Sequence, residues 1–304
     1  MTTPTDSETI TFGPPHSQWH YHRPSKTYDL SRSPDTHEQK FTLSTTHGPA
    51  DTKISISPEL SALIIVDMQN YFLSPRCRDY PLGLEAVEKL GRPGGVLKKC
   101  RELGIQVRIH NQLLRVCEAI LTLLKQQVVW LNWGLTDEDK STMPAGVQRG
   151  FSRGLIAGTH THRGLGADLG DNQGRCLFAG SWNADIYDSL KEQVRPEDVH
   201  CAKNRMSGLW NEEQPLWKYL EKAGKKTLLF TGVNTDQCVL GTLTNAYNAG
   251  WDCVMIEDCC ATPTSGGKEV CIHNIGVSHK KSSSQWEMNG AKFQCTELVW
   301  LCGR

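Results

Sequence analysis

The segment from Lys226 to Cys259 constrains the fold of this chain more than any other part of it. It begins with the apolar run KTLLFTGV, continues through the turn NTDQ and the stretch CVLGTLTNAYNAG, and ends with a second apolar run, WDCVMIEDC. Two buried strands separated by one helix predict a βαβ unit of a parallel sheet, whose crossover is almost always right-handed. The chain is therefore expected to be an α/β protein.

Three other segments repeat this alternation. SALIIVDM is continuously apolar from Ser61 up to Asp67, VVWLNWG covers residues 128–134, and DVHCAK covers residues 198–203. Residues 84–103 have helical periodicity that GRPGG interrupts, and PLWKYLEKAG ends at a glycine suited to a helix C-terminus. The repeated alternation predicts a doubly wound parallel sheet flanked by helices, a Rossmann-like fold of three layers.

Charge and hydropathy narrow the class of partner. Lys and Arg together equal Asp and Glu, so a formal net charge of zero gives no electrostatic footprint for nucleic acid or an anionic membrane. No apolar run reaches the length needed to cross a bilayer, and Met1 to Ser7 lacks the features of a secretory signal. We expect a cytoplasmic protein with a small-molecule substrate, with no nucleic acid and no membrane as partner. A homo-oligomer is a further possibility.

Twelve cysteines are scattered along the chain without a CxxC pair or a Cys/His quartet at zinc spacing. In a reducing compartment most of them are expected to be small buried apolar side chains. His16, His20 and His22 lie in an irregular segment, and His160 and His162 are interpreted as loop residues, so metal is the less favoured interpretation of both groups. We predict no metal and no cofactor.

Three polar residues occupy equivalent places in the predicted sheet. Asp67 and Lys203 end strands, and Cys238 begins the helix after a strand, so all three are expected at the carboxyl edge where such sheets bind ligands. A helix start favours a thiolate and lowers the thiol pKa, while a desolvated Asp67 could shuttle a proton. The structural alternatives are a small packing residue, a loop-capping carboxylate and a surface lysine.

Together the motifs resemble the isochorismatase-like superfamily of cysteine hydrolases. LIIVDMQNYF is similar to its first motif, CAKNRMSGLWN to its second, and LLFTGVNTDQCVLGTLTNAYNAGWDCVMIEDCCAT to its third. The order Asp, Lys, Cys is that of the family, and the similarity extends from about Ser61 to His273. The resemblance implies an isochorismatase-like three-layer fold.

The resemblance also implies a chemistry for each residue. Asp67 would act as general base and acid, Lys203 as electrostatic partner, and Cys238 as nucleophile. Val233–Asn234 would be a non-proline cis peptide bond that directs the N–H groups of Asn234 and Cys238 towards one oxyanion. The implied reaction is hydrolysis of an amide or ureido C–N bond through a thioester.

The substrate pocket is less constrained by the sequence. Trp133, Trp182 and Trp210 are candidate substrate-binding walls, although each could equally be a core residue. GSWNADIYDSLKEQVRPEDVHCAKNRMSGLWN is most similar to the ureidoacrylate amidohydrolase-like branch, whereas nicotinamidases have an Asp-x-His metal motif where this chain has WLNWGLTDED. The alternatives are a catalytically silent interaction module and a vinyl-ether hydrolase of the isochorismatase type.

The domain organisation follows from these boundaries. Residues 1–57 are predicted to be an extended or partly disordered arm, residues 58–275 the hydrolase domain, and residues 276–304 an atypical C-terminal segment. Residues 107–127 separate a helix from the strand VVWLNWG and form an atypical insertion, which we interpret as a retained intron or gene-model error. A real inserted helix is the alternative, because HNQLLRVCEAILTLLKQQ has amphipathic spacing.

Overall fold

The computed structural model of the protein describes most of the chain. The described residues are 8–32, 40–45, 51–104, 128–152, 164–275 and the three short strands at 286–288, 291–293 and 298–300. The atypical insertion at 107–127, both loop histidines His160 and His162, and most of the C-terminal segment 276–304 lie outside this set.

The described residues contain thirteen strands in three sheets. In chain order they are β1 (Thr9–Phe12), β2 (Trp19–His22), β3 (Thr27–Asp29), β4 (Phe41–Ser44), β5 (Lys53–Ile56), β6 (Ser61–Val66), β7 (Val128–Trp133), β8 (Val199–Lys203), β9 (Thr227–Val233), β10 (Asp252–Ala261), β11 (Trp286–Met288), β12 (Ala291–Phe293) and β13 (Leu298–Trp300).

Nine α-helices are found in the same residues, and none of the helices described is both long and apolar enough to cross a membrane. They are α1 (Asn70–Leu73), α2 (Pro81–Gly91), α3 (Val96–Gly104), α4 (Asp137–Thr142), α5 (Ala145–Gly150), α6 (Asp188–Lys191), α7 (Pro215–Lys222), α8 (Leu240–Asn248) and α9 (Gly267–Ile275). A 3₁₀ turn spans Trp182–Ala184, and a π-helical turn spans Thr235–Val239.

The main sheet has the strand order β13-β10-β9-β6-β7-β8. Strands β10, β9, β6, β7 and β8 are parallel, and β13 pairs antiparallel with β10 at one edge. Every residue of β6 and β9 is buried, which explains why these strands are continuous apolar runs in the sequence. The predicted parallel sheet flanked by helices is therefore confirmed.

The order of the strands reverses at the centre of this sheet. From β6 the chain adds β7 and β8 on one side, then returns to add β9 and β10 on the other side. Neighbouring β6 and β9 thus send their following loops in opposite directions, which opens a crevice at their carboxyl ends. Asp67 follows β6, and the π-helical turn that contains Cys238 follows β9.

The N-terminal segment differs from the predicted extended or partly disordered arm of residues 1–57. Its described residues form a five-stranded sheet in the order β1-β2-β3-β5-β4, in which β3 pairs with β5 across more than twenty residues of sequence. Strands of three or four residues are too short to produce a readable periodicity, and the β3–β5 pair skips over β4. The pairing was therefore not visible in the residue pattern.

A buried ion pair joins this small sheet to the main one. Arg32 Nη1 and Nη2 lie 2.5 and 2.9 Å from the two carboxylate oxygens of Asp252, the first residue of β10. The same carboxylate accepts hydrogen bonds from the Trp19 indole at 3.1 Å and the Thr227 hydroxyl at 3.2 Å. Only 9% of the Arg32 side chain and 2% of the Asp252 side chain are exposed. The N-terminal segment is thus anchored at the amino ends of β9 and β10.

Arg32→Met should lower the free energy of unfolding by about 3–5 kcal/mol near pH 8, because it leaves a buried carboxylate without its cation. Burial raises the pKa of Asp252 and Arg32 lowers it, so loss of Arg32 leaves the folded-state pKa further above the unfolded value. The stability loss should therefore shrink as the pH falls from 8 to 5. Denaturant unfolding measures it, with Lys26→Met in the exposed Lys26–Asp51 pair as the control.

Gly232 occupies the closest approach between the two central strands. Its φ is +122°, and a Cβ atom added there would lie 2.0 Å from the carbonyl oxygen of Val66 on β6. No side chain can be accommodated, because the obstruction is backbone of the neighbouring strand. Glycine at this position lets β9 stay in register with β6 just before the cysteine turn.

Gly232→Ala should abolish soluble expression or lower the free energy of unfolding well beyond the ~1–3 kcal/mol of backbone strain alone. Gly94→Ala is the matched control, since Gly94 also has a positive φ (+76°) but has open space around it. Thermal unfolding of both variants separates the two effects. Equal losses of thermal stability in Gly232→Ala and Gly94→Ala would contradict the close approach of β9 to β6.

Candidate active site

Four neighbouring strands bring one functional side chain each to the carboxyl edge of the sheet. In spatial order these are Cys238 after β9, Asp67 after β6, Trp133 at the end of β7 and Lys203 at the end of β8. The pairing register places Trp133 directly opposite Lys203. The three residues proposed from the sequence as catalytic, Asp67, Lys203 and Cys238, are thus brought together.

Asp67 and Lys203 form a fully buried ion pair. Lys203 Nζ lies 2.9 Å from Asp67 Oδ2, and neither side chain is exposed to solvent. Since β7 lies between their strands, the lysine must reach across it, and Nζ passes 4.1 Å from the centroid of the Trp133 ring. Nζ also donates a hydrogen bond to the carbonyl oxygen of Arg205 at 3.2 Å. The ammonium group is therefore held by a carboxylate, a carbonyl and an aromatic face.

Asp67 itself is fixed by the backbone around it. Its φ of +53° turns the chain sharply at the end of β6, and its N–H donates to the carbonyl oxygen of Leu131 at 2.9 Å. Its Oδ1 accepts a hydrogen bond from the Trp133 backbone N–H at 3.2 Å. Burial raises the pKa of Asp67, while Lys203, Cys238 and Trp133 lower it. The net direction is upward, as the sequence predicts for a desolvated carboxyl.

The thiol of Cys238 behaves differently from the sequence-based expectation. Cys238 is 6% exposed, and burial raises its pKa to about 12, with the negative charge of Asp67 adding to the rise and Lys203 opposing it. The residue lies inside the short π-helical turn, and α8 begins two residues later. Desolvation therefore outweighs the helix start, and the expectation of a lowered thiol pKa is wrong for the resting site. The thiol lies beside the Asp67 carboxylate, and this contact raises the thiol pKa further.

The turn before Cys238 contains the cis peptide bond that the resemblance implies. Val233–Asn234 is cis, which confirms this expectation. The Tyr80 hydroxyl donates to Asn234 Oδ1 at 3.2 Å, and the Asn234 carbonyl accepts from the N–H of Gln237 at 3.0 Å. The Asn234 side chain is thus held from α2, while its backbone closes the cysteine turn.

Gln69 is a site residue whose role the sequence analysis missed. It is fully buried, and its Nε2 donates to the carbonyl oxygens of Trp133 at 2.8 Å and Ala184 at 2.6 Å. Its Oε1 accepts a hydrogen bond from the Trp133 backbone N–H at 3.1 Å, and the same N–H also donates to Asp67. Gln69 therefore clamps the end of β7 beside the carboxylate. A polar residue two positions after the strand-ending Asp67 was the available signal.

The three tryptophans proposed as pocket walls occupy different places. Trp133 is buried at the ion pair, and Trp182 shares with it a groove of about 780 Å³ beside β7 and β8. The Arg76 guanidinium lies 4.3 Å above the Trp182 ring. Trp210 is 40% exposed on the loop after β8, where its indole donates to Asn204 at 3.2 Å. A substrate-binding role for any of them stays a prediction.

Buried polar atoms without partners gather around these residues. Within the described ranges, five such atoms belong to residues at or just after the ends of these strands, and they are Asp67 Oδ2 (apart from its ion pair with Lys203), Asn70 Oδ1, Asn132 Oδ1, Trp133 Nε1 and Thr235 Oγ1. Each unsatisfied buried group costs roughly 1–3 kcal/mol, so native proteins keep few of them without a reason. Such a concentration at the carboxyl edge of the sheet is typical of a site that completes its hydrogen bonds with a ligand.

The histidine cluster proposed from the N-terminal sequence has other partners. His20 and His22 lie on β2, and their Nδ1 atoms pair with the hydroxyls of Thr11 at 3.0 Å and Thr9 at 3.1 Å. Among the described residues, no group of three His, Cys, Asp or Glu side chains is placed to hold a metal ion.

Comparison with known proteins gives the family. Residues 61–277, more than two thirds of the chain, match the sequence profile of the isochorismatase domain. The chain belongs to the isochorismatase-like hydrolase family. The isochorismatase domain therefore includes β6 through α9, and with them all four residues at the carboxyl edge of the sheet.

Solved structures with a similar fold have low sequence identity to the chain. An isochorismatase family protein from Desulfovibrio vulgaris is 21% identical over 71% of this chain and 89% of its own, with a TM-score of 0.49. N-carbamoylsarcosine amidase from Thermoplasma acidophilum is 19% identical over 70% and 91%, with a TM-score of 0.45. The pyrazinamidase/nicotinamidase of Streptococcus mutans is 15% identical over 71% and 94%, with a TM-score of 0.48.

Lys203→Met should move the pH profile of Cys238 alkylation to higher pH. Lys203 lowers the pKa of both Asp67 and Cys238, so its loss raises both and reduces the thiolate present at any pH below the thiol pKa. Peptide mass spectrometry after limiting iodoacetamide between pH 7 and 10 should show Cys238 labelling at least tenfold more slowly. Lys218→Met, in an exposed pair with Glu213, is the control and should leave the profile in place.

Proposed function

We propose that this protein hydrolyses a C–N bond of a small amide or ureido compound through a thioester on Cys238. The observation that carries the proposal is the contact of the Cys238 thiol with a carboxylate that is itself paired with Lys203 at 2.9 Å, all three groups being buried. A nucleophile within hydrogen-bond reach of a base, with the base oriented by a third group, is the geometry that covalent catalysis requires.

In the first half of the reaction, Asp67 takes the proton of the Cys238 thiol as the sulfur attacks the carbonyl carbon of the substrate. The resting thiol is neutral because burial raises its pKa to about 12, so deprotonation is coupled to attack. The tetrahedral intermediate collapses when its C–N bond breaks. The leaving nitrogen takes the proton from Asp67, and the acyl group stays on sulfur.

The second half returns the enzyme to its starting state. A water molecule attacks the thioester carbonyl while Asp67 accepts the water proton, and the sulfur leaves and regains that proton. Lys203 stabilises the negative charge on Asp67 in one stage and on sulfur in the other. The backbone N–H groups of Asn234 and Cys238, at the cis peptide turn, are the proposed donors to the oxyanion in both halves.

Two further parts of the proposal concern substrate and location. The sequence from Gly180 to Asn211 favours the ureidoacrylate amidohydrolase-like branch, so small ureido acids and carbamoyl amides are the first substrates to test. Trp182 lines the groove beside β7 and β8 and supplies apolar surface for such a ligand, whereas the Trp133 ring is buried against Lys203. The formal net charge of zero favours a small-molecule partner, and a cytoplasmic location is part of the same proposal.

The two alternative functions differ from the proposed one in whether they need the Cys238 thiol. A vinyl-ether hydrolase of the isochorismatase type would not need the thiol, and a silent interaction module would need none of the three residues. The interaction of the Cys238 thiol with Asp67 supports the thioester mechanism over both, because it couples the thiol to the carboxylate that is paired with Lys203.

Cys238→Ala should reduce hydrolysis of ureido and amide substrates at least 10³-fold, because it removes the nucleophile. Cys253→Ala is the matched control, since Cys253 is a buried cysteine near the opposite end of the sheet, and it should retain most activity. Ammonia release over a substrate panel and intact-protein mass spectrometry of a quenched reaction are the measurements. An acyl adduct on Cys238 is expected.

The other outcomes separate the alternatives. Activity of Cys238→Ala on a vinyl ether, with no adduct on the wild-type protein, would replace the proposal with the isochorismatase-type reaction. A folded wild-type protein with no turnover on either panel and a Cys238 thiol indifferent to Lys203→Met would favour the interaction module.

A further inference from the structure

Trp133 has a buried indole N–H for which the resting protein supplies no good acceptor. The residue is 1% exposed, and its Nε1 has no hydrogen-bond partner of ordinary geometry. A tryptophan placed only for packing would be expected to satisfy this group, because buried indole N–H groups usually find a partner. The orientation that leaves the donor unsatisfied therefore needs an explanation.

The position of Trp133 is determined by several contacts at once. Gln69 holds its backbone N–H and its carbonyl oxygen, at 3.1 and 2.8 Å respectively. Lys203 Nζ lies 4.1 Å from its ring centroid, and the Phe151 ring packs edge-on at 5.0 Å. The indole is therefore not free to rotate towards another acceptor.

The sulfur of Cys238 is among the groups with which the Trp133 side chain interacts. The interaction of the Trp133 side chain with Cys238 favours the thiolate, and its backbone N–H at the same time contacts Asp67. A neutral thiol is a weak acceptor, whereas a thiolate is a charged one that forms much stronger hydrogen bonds. The indole N–H can therefore form only a weak hydrogen bond with the resting thiol and a strong one with the thiolate that forms during attack.

We propose that Trp133 is a catalytic residue whose indole N–H donates a hydrogen bond to the Cys238 sulfur when that sulfur becomes an anion. This proposal rests on the proposed function of Cys238 as nucleophile. The proton of the thiol still passes to Asp67, and the indole keeps its own hydrogen throughout. Trp133 stabilises sulfur during attack and again when sulfur is the leaving group of thioester hydrolysis.

Trp133→Phe tests the donor, because it removes the N–H and keeps an aromatic ring beneath Lys203. We expect the variant to alkylate Cys238 at least fivefold more slowly than wild type between pH 7 and 9, and to lose a similar factor in kcat with a smaller change in KM. The melting temperature of Trp133→Phe should not fall in proportion to its loss of alkylation rate and kcat, since an unsatisfied donor does not stabilise the resting protein.

Trp217→Phe is the matched control. Trp217 also has a buried indole N–H without a partner, but it lies on α7 with its ring edge-on to Trp251 at 5.0 Å. It should leave both the alkylation profile and kcat unchanged. If Trp133→Phe folds poorly, benzothienylalanine at position 133 replaces the N–H by sulfur at nearly the same shape and should reproduce the slower alkylation.

The outcomes for the two proposals are distinguishable. If Lys203→Met slows alkylation of Cys238 but both position-133 variants match wild type in alkylation and kcat, the donor role of Trp133 is wrong and the nucleophile role stands. If Cys238→Ala retains full hydrolytic activity, the proposed function fails. Slower alkylation in Trp133→Phe would in that case still report the hydrogen bond to sulfur.

Discussion

The buried ion pair between Asp67 and Lys203 is the interaction on which the rest of this structure depends. Removing two charged groups from water costs several kcal/mol for each ion, and the attraction between them compensates only when the geometry is well fixed. Here the two partners come from strands that are not neighbours, with β7 between them. The Trp133 ring, the Gln69 clamp and the carbonyl of Arg205 all act on the strand ends that must stay aligned.

This arrangement explains why the thiol is neutral at rest. A positive charge and a negative charge beside Cys238 largely oppose each other, so burial decides the direction in which the pKa moves. The resting site therefore keeps the proton on the Cys238 sulfur, beside a carboxyl group whose own pKa is raised. A neutral thiol is also less prone to oxidation, since susceptibility follows thiolate character.

The sequence predicted the parts of the molecule in which local pattern and tertiary role coincide. β6, β9 and β10 are buried along nearly their whole length, so their apolar runs were readable, and strand-ending polar residues then pointed to Asp67 and Lys203. The cis bond at Val233–Asn234 came from resemblance to a family, since no residue pattern requires it. The N-terminal sheet was missed because its strands have only three or four residues each and one of its pairs, β3–β5, skips over β4.

The direction of the Cys238 pKa was wrong for a related reason. A helix start is visible in the sequence, whereas the burial that overrides it exists only in the folded chain. The roles of Gln69 and Tyr80 were missed for the same reason. Each acts by a hydrogen bond to a partner at least 64 positions away in the sequence, as in the bonds from Gln69 to Trp133 and from Tyr80 to Asn234.

The ion pair between Arg32 and Asp252 determines how far the folding unit extends towards the N-terminus beyond the family match. The recognisable isochorismatase domain starts at residue 61, yet the carboxylate at the start of β10 is neutralised from outside that boundary. A chain trimmed to the family match would keep Asp67, Lys203 and Cys238 and would leave Asp252 at the opposite edge of the sheet without its cation. The minimal folding unit is therefore longer than the minimal chemical unit, and the difference is one arginine with the small sheet that carries it.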